Sequence, residues 1–136
     1  MKPAVLILSA LAACTAAEPI ERAGPTPDAI AHAVRGRTPG PPVACISQFG
    51  LRGSRAVAGA MLFRGPGDVI YVNEGIAGCR ALALGTAFRT HNPTGRLCRG
   101  DIVTAFEPVS GAEFGGCALG DFVPYRRTNR SEGSRR

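Results

Sequence analysis

Arg55-Ala56-Val57-Ala58-Gly59-Ala60-Met61-Leu62-Phe63-Arg64, then Gly65-Pro66-Gly67-Asp68, then Val69-Ile70-Tyr71-Val72-Asn73 reads as a β-hairpin. The first arm sets Val57, Met61 and Phe63 on one face, with Gly59 as a bulge or close-approach point. Pro66-Gly67 supplies the centre of a type II turn, and the second arm is β-branched and aromatic. The same punctuation continues in both directions. Val43 to Gln48 alternates around Cys45. Cys79 to Leu84 reads as a helical turn or a loop. Thr86 to His91 is a short strand closed by Asn92-Pro93-Thr94-Gly95, which has the residue order of a type I turn. Arg96 to Arg99 runs back. Asp101 to Glu107 alternates again, Pro108 to Gly111 turns, and Phe114 to Tyr125 closes the domain. About six short strands at roughly ten-residue spacing predict an all-β fold, a small antiparallel barrel or sandwich.

Residues 14–42 read as a tether, holding Pro19, Pro25, Pro27, Pro39, Pro41 and Pro42, more than half of the 11 prolines. A short helix over 27–35 can interrupt it. Thr26 caps, Pro27 suits the first helical position, Asp28 favours the positive end of the dipole, and Gly36 closes. Ala29, Ile30, Ala33 and Val34 then share one face. The alternative is a plain flexible spacer, which would hold the domain about 30 Å from its point of attachment. The domains expected are therefore a leader at 1–13, a tether at 14–42, a β domain at 43–125 and a basic, disordered tail at 126–136.

The leader rests on Lys2, the apolar run Ala4 to Ala13, and Leu11-Ala12-Ala13-Cys14. The run is far shorter than the roughly 20 residues a membrane span needs, and its layout is that of a secretory signal. Its ending resembles the lipoprotein box, in which Cys14 is lipidated and the leader cut just before it. Acyl chains contribute about 0.8 kcal/mol per buried methylene, so two or three chains anchor firmly. By the same resemblance, Thr15 after the cysteine implies passage to the outer membrane, facing the periplasm. Ordinary cleavage near Ala16-Ala17 is the other reading.

Cys45, Cys79, Cys98 and Cys117 remain, an even number in an exported domain, which points to two disulfides. Three pairings are open. The expectation is Cys45–Cys117 tying the domain ends, with Cys79–Cys98 nested inside. No C-x-x-C pair occurs, so neither a metal site nor a redox pair is expected. No phosphate-cradling glycine motif occurs either, and no cofactor is indicated.

The net charge of +6 is uneven. Residues 43–125 carry seven arginines against six acids, while Arg126, Arg127, Arg130, Arg135 and Arg136 face only Glu132 in the tail. With six phenylalanines, two tyrosines and no tryptophan, base-stacking surfaces are scarce, so no nucleic-acid partner is expected. Arg52, Arg55, Arg89, Arg96 and Arg99 form an anion-binding face if neighbouring strands gather them. Balanced surface charge, each arginine beside an acid, is the alternative. His32 and His91 are the only neutral-pH acid–base groups. Ser47, Ser54 and Ser110 lack a G-x-S-x-G elbow.

Cys45-Ile46, the basic stretch Arg52 to Arg55, Tyr71-Val72-Asn73, Cys79, Leu97-Cys98, Gly100-Asp101 and the ending Cys117-Ala118-Leu119-Gly120-Asp121-Phe122-Val123-Pro124 together resemble a family of small exported proteobacterial proteins. That family is common in sphingomonad-type bacteria and has no assigned function. The resemblance implies a disulfide-stabilised β domain and transfers no catalytic residue. The expected function is a non-enzymatic, inhibitor-like interaction module, anchored to the membrane and binding an envelope protein, peptidoglycan or an anionic polymer. An envelope enzyme of unrecognised type, or a purely structural lipoprotein, are the other classes. The oligomeric state stays open.

Overall fold

A computed structural model describes residues 27–75, 79–84 and 87–128. The expected leader with Cys14, the tether before Pro27 and the tail after Thr128 lie outside the described residues. In chain order the elements are α1 (Pro27–Ala33), β1 (Arg37–Pro39), β2 (Cys45–Ser47), β3 (Ser54–Val57), β4 (Ala60–Arg64), β5 (Ile70–Asn73), α2 (Arg80–Leu84), β6 (Ala87–Thr90), β7 (Arg96–Cys98), β8 (Ile102–Phe106), β9 (Glu113–Ala118) and β10 (Phe122–Arg127). The strands form antiparallel sheets ordered β1-β10-β5-β4-β3, β2-β7 and β6-β8-β9. The fold is mostly β and sandwich-like, as the strand spacing leads one to expect.

The ten strands among the described residues exceed the expected six or so because two runs break and β1 lies in the expected tether. Arg55 to Arg64 is not one strand but a hairpin, with Val57 paired to Ala60 across the two-residue loop Ala58-Gly59. Both loop residues have positive φ, +48° and +82°, the signature of the tight turn whose twist matches antiparallel strands. Gly59 is therefore a turn residue rather than a bulge. Val57 consequently lies on the opposite face from Met61 and Phe63. Alanine is a poor occupant of the left-handed region, where its Cβ crowds the following carbonyl. Ala58→Asn should raise stability by about 0.5–1 kcal/mol, read as a higher midpoint in urea; an unchanged or lower midpoint would count against this turn. The second break is at Leu119–Asp121, between β9 and β10.

The five-stranded sheet is covered on both faces, which is why Ala60, Met61, Leu62 and Phe63 are all buried in succession. Met61, Phe63 and Phe122 point toward the smaller sheets and pack with Ile46, Leu82, Leu97, Val103 and Leu119. Phe63 meets Phe122 edge to face at 5.7 Å, the arrangement that aromatic quadrupoles favour. On the other face, Ile30 and Val34 lie against Ala60, Leu62 and Val72. Each such aliphatic side chain contributes roughly 1.5–3 kcal/mol on burial. The helix face read from the sequence is thus the one that docks.

The tether boundary needs correction. From Pro27 the chain belongs to the domain, because α1 caps the sheet and β1 pairs with β10, Arg37 opposite Arg127. Arg126 and Arg127, expected in the tail, are likewise strand residues. Pro124 sits in a strand with neighbours on both sides, a place where a missing N–H is usually harmful. Its carbonyl accepts from the Gly40 N–H at 2.7 Å. The absent donor therefore faces the end of β1 and not the β5 ladder.

The disulfide pairing also differs from expectation: the bridges are Cys45–Cys98 and Cys79–Cys117. Cys45 stands directly opposite Cys98 in the β2–β7 ladder, with Cα atoms 4.0 Å apart. Cys79 precedes α2 and meets Cys117 on β9 at 6.0 Å. The chain ends need no cysteine tie because β1 and β10 already join them. The two loops interleave rather than nest.

One buried polar group joins segments far apart in sequence. Asn73 is fully buried. Its amide nitrogen donates to the Gly120 carbonyl at 2.8 Å, and its oxygen accepts from the Gly120 N–H at 2.9 Å. Gly75 and Gly120 pass so closely that a Cβ on either would overlap the backbone of the other.

Candidate functional site

The β3–β4 hairpin gathers arginines on the α1 side of the sheet. Arg55 on β3 stands opposite Leu62, and Arg64 at the end of β4 stands opposite Ile70. Alternation along the strands puts all four on one face. The Arg52 N–H donates to the Arg64 carbonyl at 2.8 Å, and the Arg64 N–H donates to the Gly53 carbonyl at 2.9 Å. Gly53, at φ +139°, allows that irregular extension of the ladder. Arg52, Arg55 and Arg64 thus line one cleft of about 230 Å³, floored by Leu62 and Ile70 and flanked by Ala33 of α1.

All three arginines are exposed. Among the described residues none has a carboxylate within ion-pair distance. Like charges facing one cleft repel each other, and an anion held between them relieves that repulsion. A guanidinium also presents a planar fork of donors that fits carboxylate and phosphate oxygens.

The other arginines singled out in the sequence are placed differently. Arg89 pairs with Glu113 across β8, and its guanidinium lies 5.3 Å over the Phe106 ring. Arg99 contacts both carboxylate oxygens of Asp121 at 3.1 Å. Arg96 is exposed on β7 opposite Ser47, away from the cleft. The structure therefore brings together Arg52 and Arg55 of the five and adds Arg64. Two of the remaining three follow the balanced-charge alternative.

A second cluster is neutralised. Arg37 donates to the carbonyl and carboxylate of Asp68, and Arg127 donates to the same carboxylate. The Arg127 and Arg37 hydrogen bonds hold the Asp68 carboxyl below its ordinary value near 3.8. A folded-state value below the unfolded one gives stability that is full above the ordinary carboxylate range and is lost as pH falls through the lowered value. Asp68 is exposed, so salt screens the effect. Asp68→Asn should melt below wild type at neutral pH, and the two melting curves should converge in acid. A gap that persists at low pH would contradict the clamp.

Glu107 is shaped by its turn. Its carboxylate accepts from the Val109 N–H at 2.9 Å and the Ser110 N–H at 2.5 Å, which lowers its pKa. His32 and His91 are exposed, and neither enters a side-chain hydrogen bond among the described residues. No metal-binding cluster is present among the described residues, and no described helix is long and apolar enough to cross a membrane. Compared with known families, curated proteins and solved structures, the chain matches none.

Proposed function

We propose that this chain is an exported envelope lipoprotein, anchored through Cys14, whose domain is a non-enzymatic interaction module for an anionic partner. The observation that carries the reading is the cleft of Arg52, Arg55 and Arg64. It concentrates positive charge beside an apolar floor while the neighbouring arginines at 37, 89, 99 and 127 are each paired with an acid. The two disulfides support export, since such bridges persist in oxidising compartments. The anchor would hold the cleft close to the envelope, within reach of anionic polymers or acidic protein surfaces.

Binding to dextran sulfate, a stand-in polyanion, tests the module. Arg55→Glu with Arg64→Glu should weaken it by at least tenfold and reduce its salt dependence. Arg135→Glu with Arg136→Glu makes the same change in net charge and should weaken it by less than about threefold. Equal losses in the two variants would reduce the cleft to general basicity and overturn the reading.

A further inference from the structure

We propose that the arginine cleft and an adjoining apolar pocket form one site, and that its ligand is a single-chain anionic amphiphile with a phosphate head. This rests on the anion-binding reading of Arg52, Arg55 and Arg64 and adds a second half to that site. The pocket, about 210 Å³, opens between the five-stranded sheet and the smaller sheets and is walled by Met61, Phe63, Phe88, Leu97 and Val103. All but Phe88 are buried, and Phe88 is half-buried. Gln48, Ser54 and Thr90 share the open rim of this hollow with Leu51 and the half-buried Phe88, so an alkyl chain laid between Leu51 and Phe88 would take apolar surface out of water. Two of the polar side chains at its mouth satisfy each other: Gln48 donates through Nε2 to the Thr90 hydroxyl at 3.1 Å.

Gly53 and Ser54 line both cavities. They lie at the β3 edge of the sheet, where no further strand pairs. Strand alternation puts Arg55, Leu62 and Arg64 on one face and Ser54, Met61 and Phe63 on the other, so the two cavities flank that edge. The strip between them is bare at Gly53, where even an added Cβ would meet nothing within 4 Å. A chain can therefore run from the guanidiniums over the edge into the apolar pocket without displacing a side chain there. A free phosphate would use only the first half of this site, and a neutral hydrocarbon would leave three guanidiniums uncompensated. An amphiphile uses both halves. Its phosphate can belong to a lipid headgroup or to a soluble alkyl phosphate.

The full exported chain carrying Cys14→Ser, which has no acyl group of its own to compete, would be titrated with octyl phosphate below micelle formation. Inorganic phosphate and octyl glucoside are the two half-ligand controls. The expected result is saturable one-to-one binding of octyl phosphate at least thirtyfold tighter than either control. Each buried methylene should add roughly fourfold. Arg55→Glu with Arg64→Glu should cost at least tenfold, and Leu51→Trp, at a half-buried residue that also lines the second pocket, should fill it and bring octyl phosphate down to the level of inorganic phosphate. Competition by lysophosphatidate in neutral vesicles would assign the head to a membrane lipid; its failure to compete would assign the site to a soluble ligand. Phosphate and octyl phosphate binding equally to the unaltered chain would overturn the amphiphile while leaving the anion site. Binding of neither would overturn both.

Discussion

Replacing Asn73 by alanine should lower the thermal midpoint of the domain by about 15–30 °C. The side chain is fully buried and closes both backbone groups of Gly120. Truncation leaves the half-buried Gly120 N–H and carbonyl without their partner, at roughly 1–3 kcal/mol each, and leaves a cavity where the amide stood. The sum is about 3–5 kcal/mol, a large share of the 5–15 kcal/mol typical of a domain. Gly120→Ala should be comparably damaging through a different cause. Its new Cβ would strike the Gly75 backbone, which cannot swing aside as a flexible side chain would. Circular dichroism melting of the oxidised protein reads both variants. A shift below about 5 °C for Asn73→Ala would mean that the junction is not as described.

Breaking the Cys45–Cys98 bridge should have an effect of similar size. Loops closing 53 and 38 residues correspond, by chain entropy alone, to about 4 kcal/mol for each bridge. The loops share residues 79–98, so the two effects will not simply add. Cys45→Ala with Cys98→Ala should melt about 15 °C or more below wild type. Reduction of both bridges should abolish the cooperative transition at 37 °C. A reduced chain that melts at the wild-type temperature would show that the sandwich stands without its crosslinks.

The local grammar of this fold is legible in the sequence, and the long-range pairing is not. Asn92-Pro93-Thr94-Gly95 turns as read, with the Asn92 side chain accepting from the Thr94 N–H at 2.9 Å and Gly95 at φ +68°. The turn after Glu107 is equally plain, since its carboxylate caps it. Ala58 hid the β3–β4 turn because alanine carries no turn signal and the apolar run continues through it. Nothing local places β10 between β1 and β5. That placement ties the chain ends together and so leaves Cys45 and Cys117 to other partners. β2 pairs with β7 for the same kind of long-range reason, and the first disulfide follows from it.

The candidate site divides in the same way. Residue type marked Arg52 and Arg55, but their company depends on the hairpin. Once Val57 pairs with Ala60, Arg64 falls opposite Gly53 and joins them. Whether an arginine is neutralised is a matter of neighbouring strands. Arg89 finds Glu113 across β8 and Arg99 finds Asp121 after β9, although each pair is more than twenty residues apart in sequence. The apolar pocket left no pattern, since its walls are ordinary core residues drawn from several strands.

The proposed function needs an exported chain anchored at Cys14, and the fold rests on two interleaved bridges, Cys45–Cys98 and Cys79–Cys117. The most direct measurement is the intact mass and non-reducing peptide map of the protein extracted from membranes, with thiols alkylated before and after reduction. The expected result is a chain beginning at an acylated Cys14, with peptides joined as Cys45–Cys98 and Cys79–Cys117 and four thiols appearing only on reduction. An unacylated chain that keeps its leader, or thiols that alkylate without reduction, would contradict it.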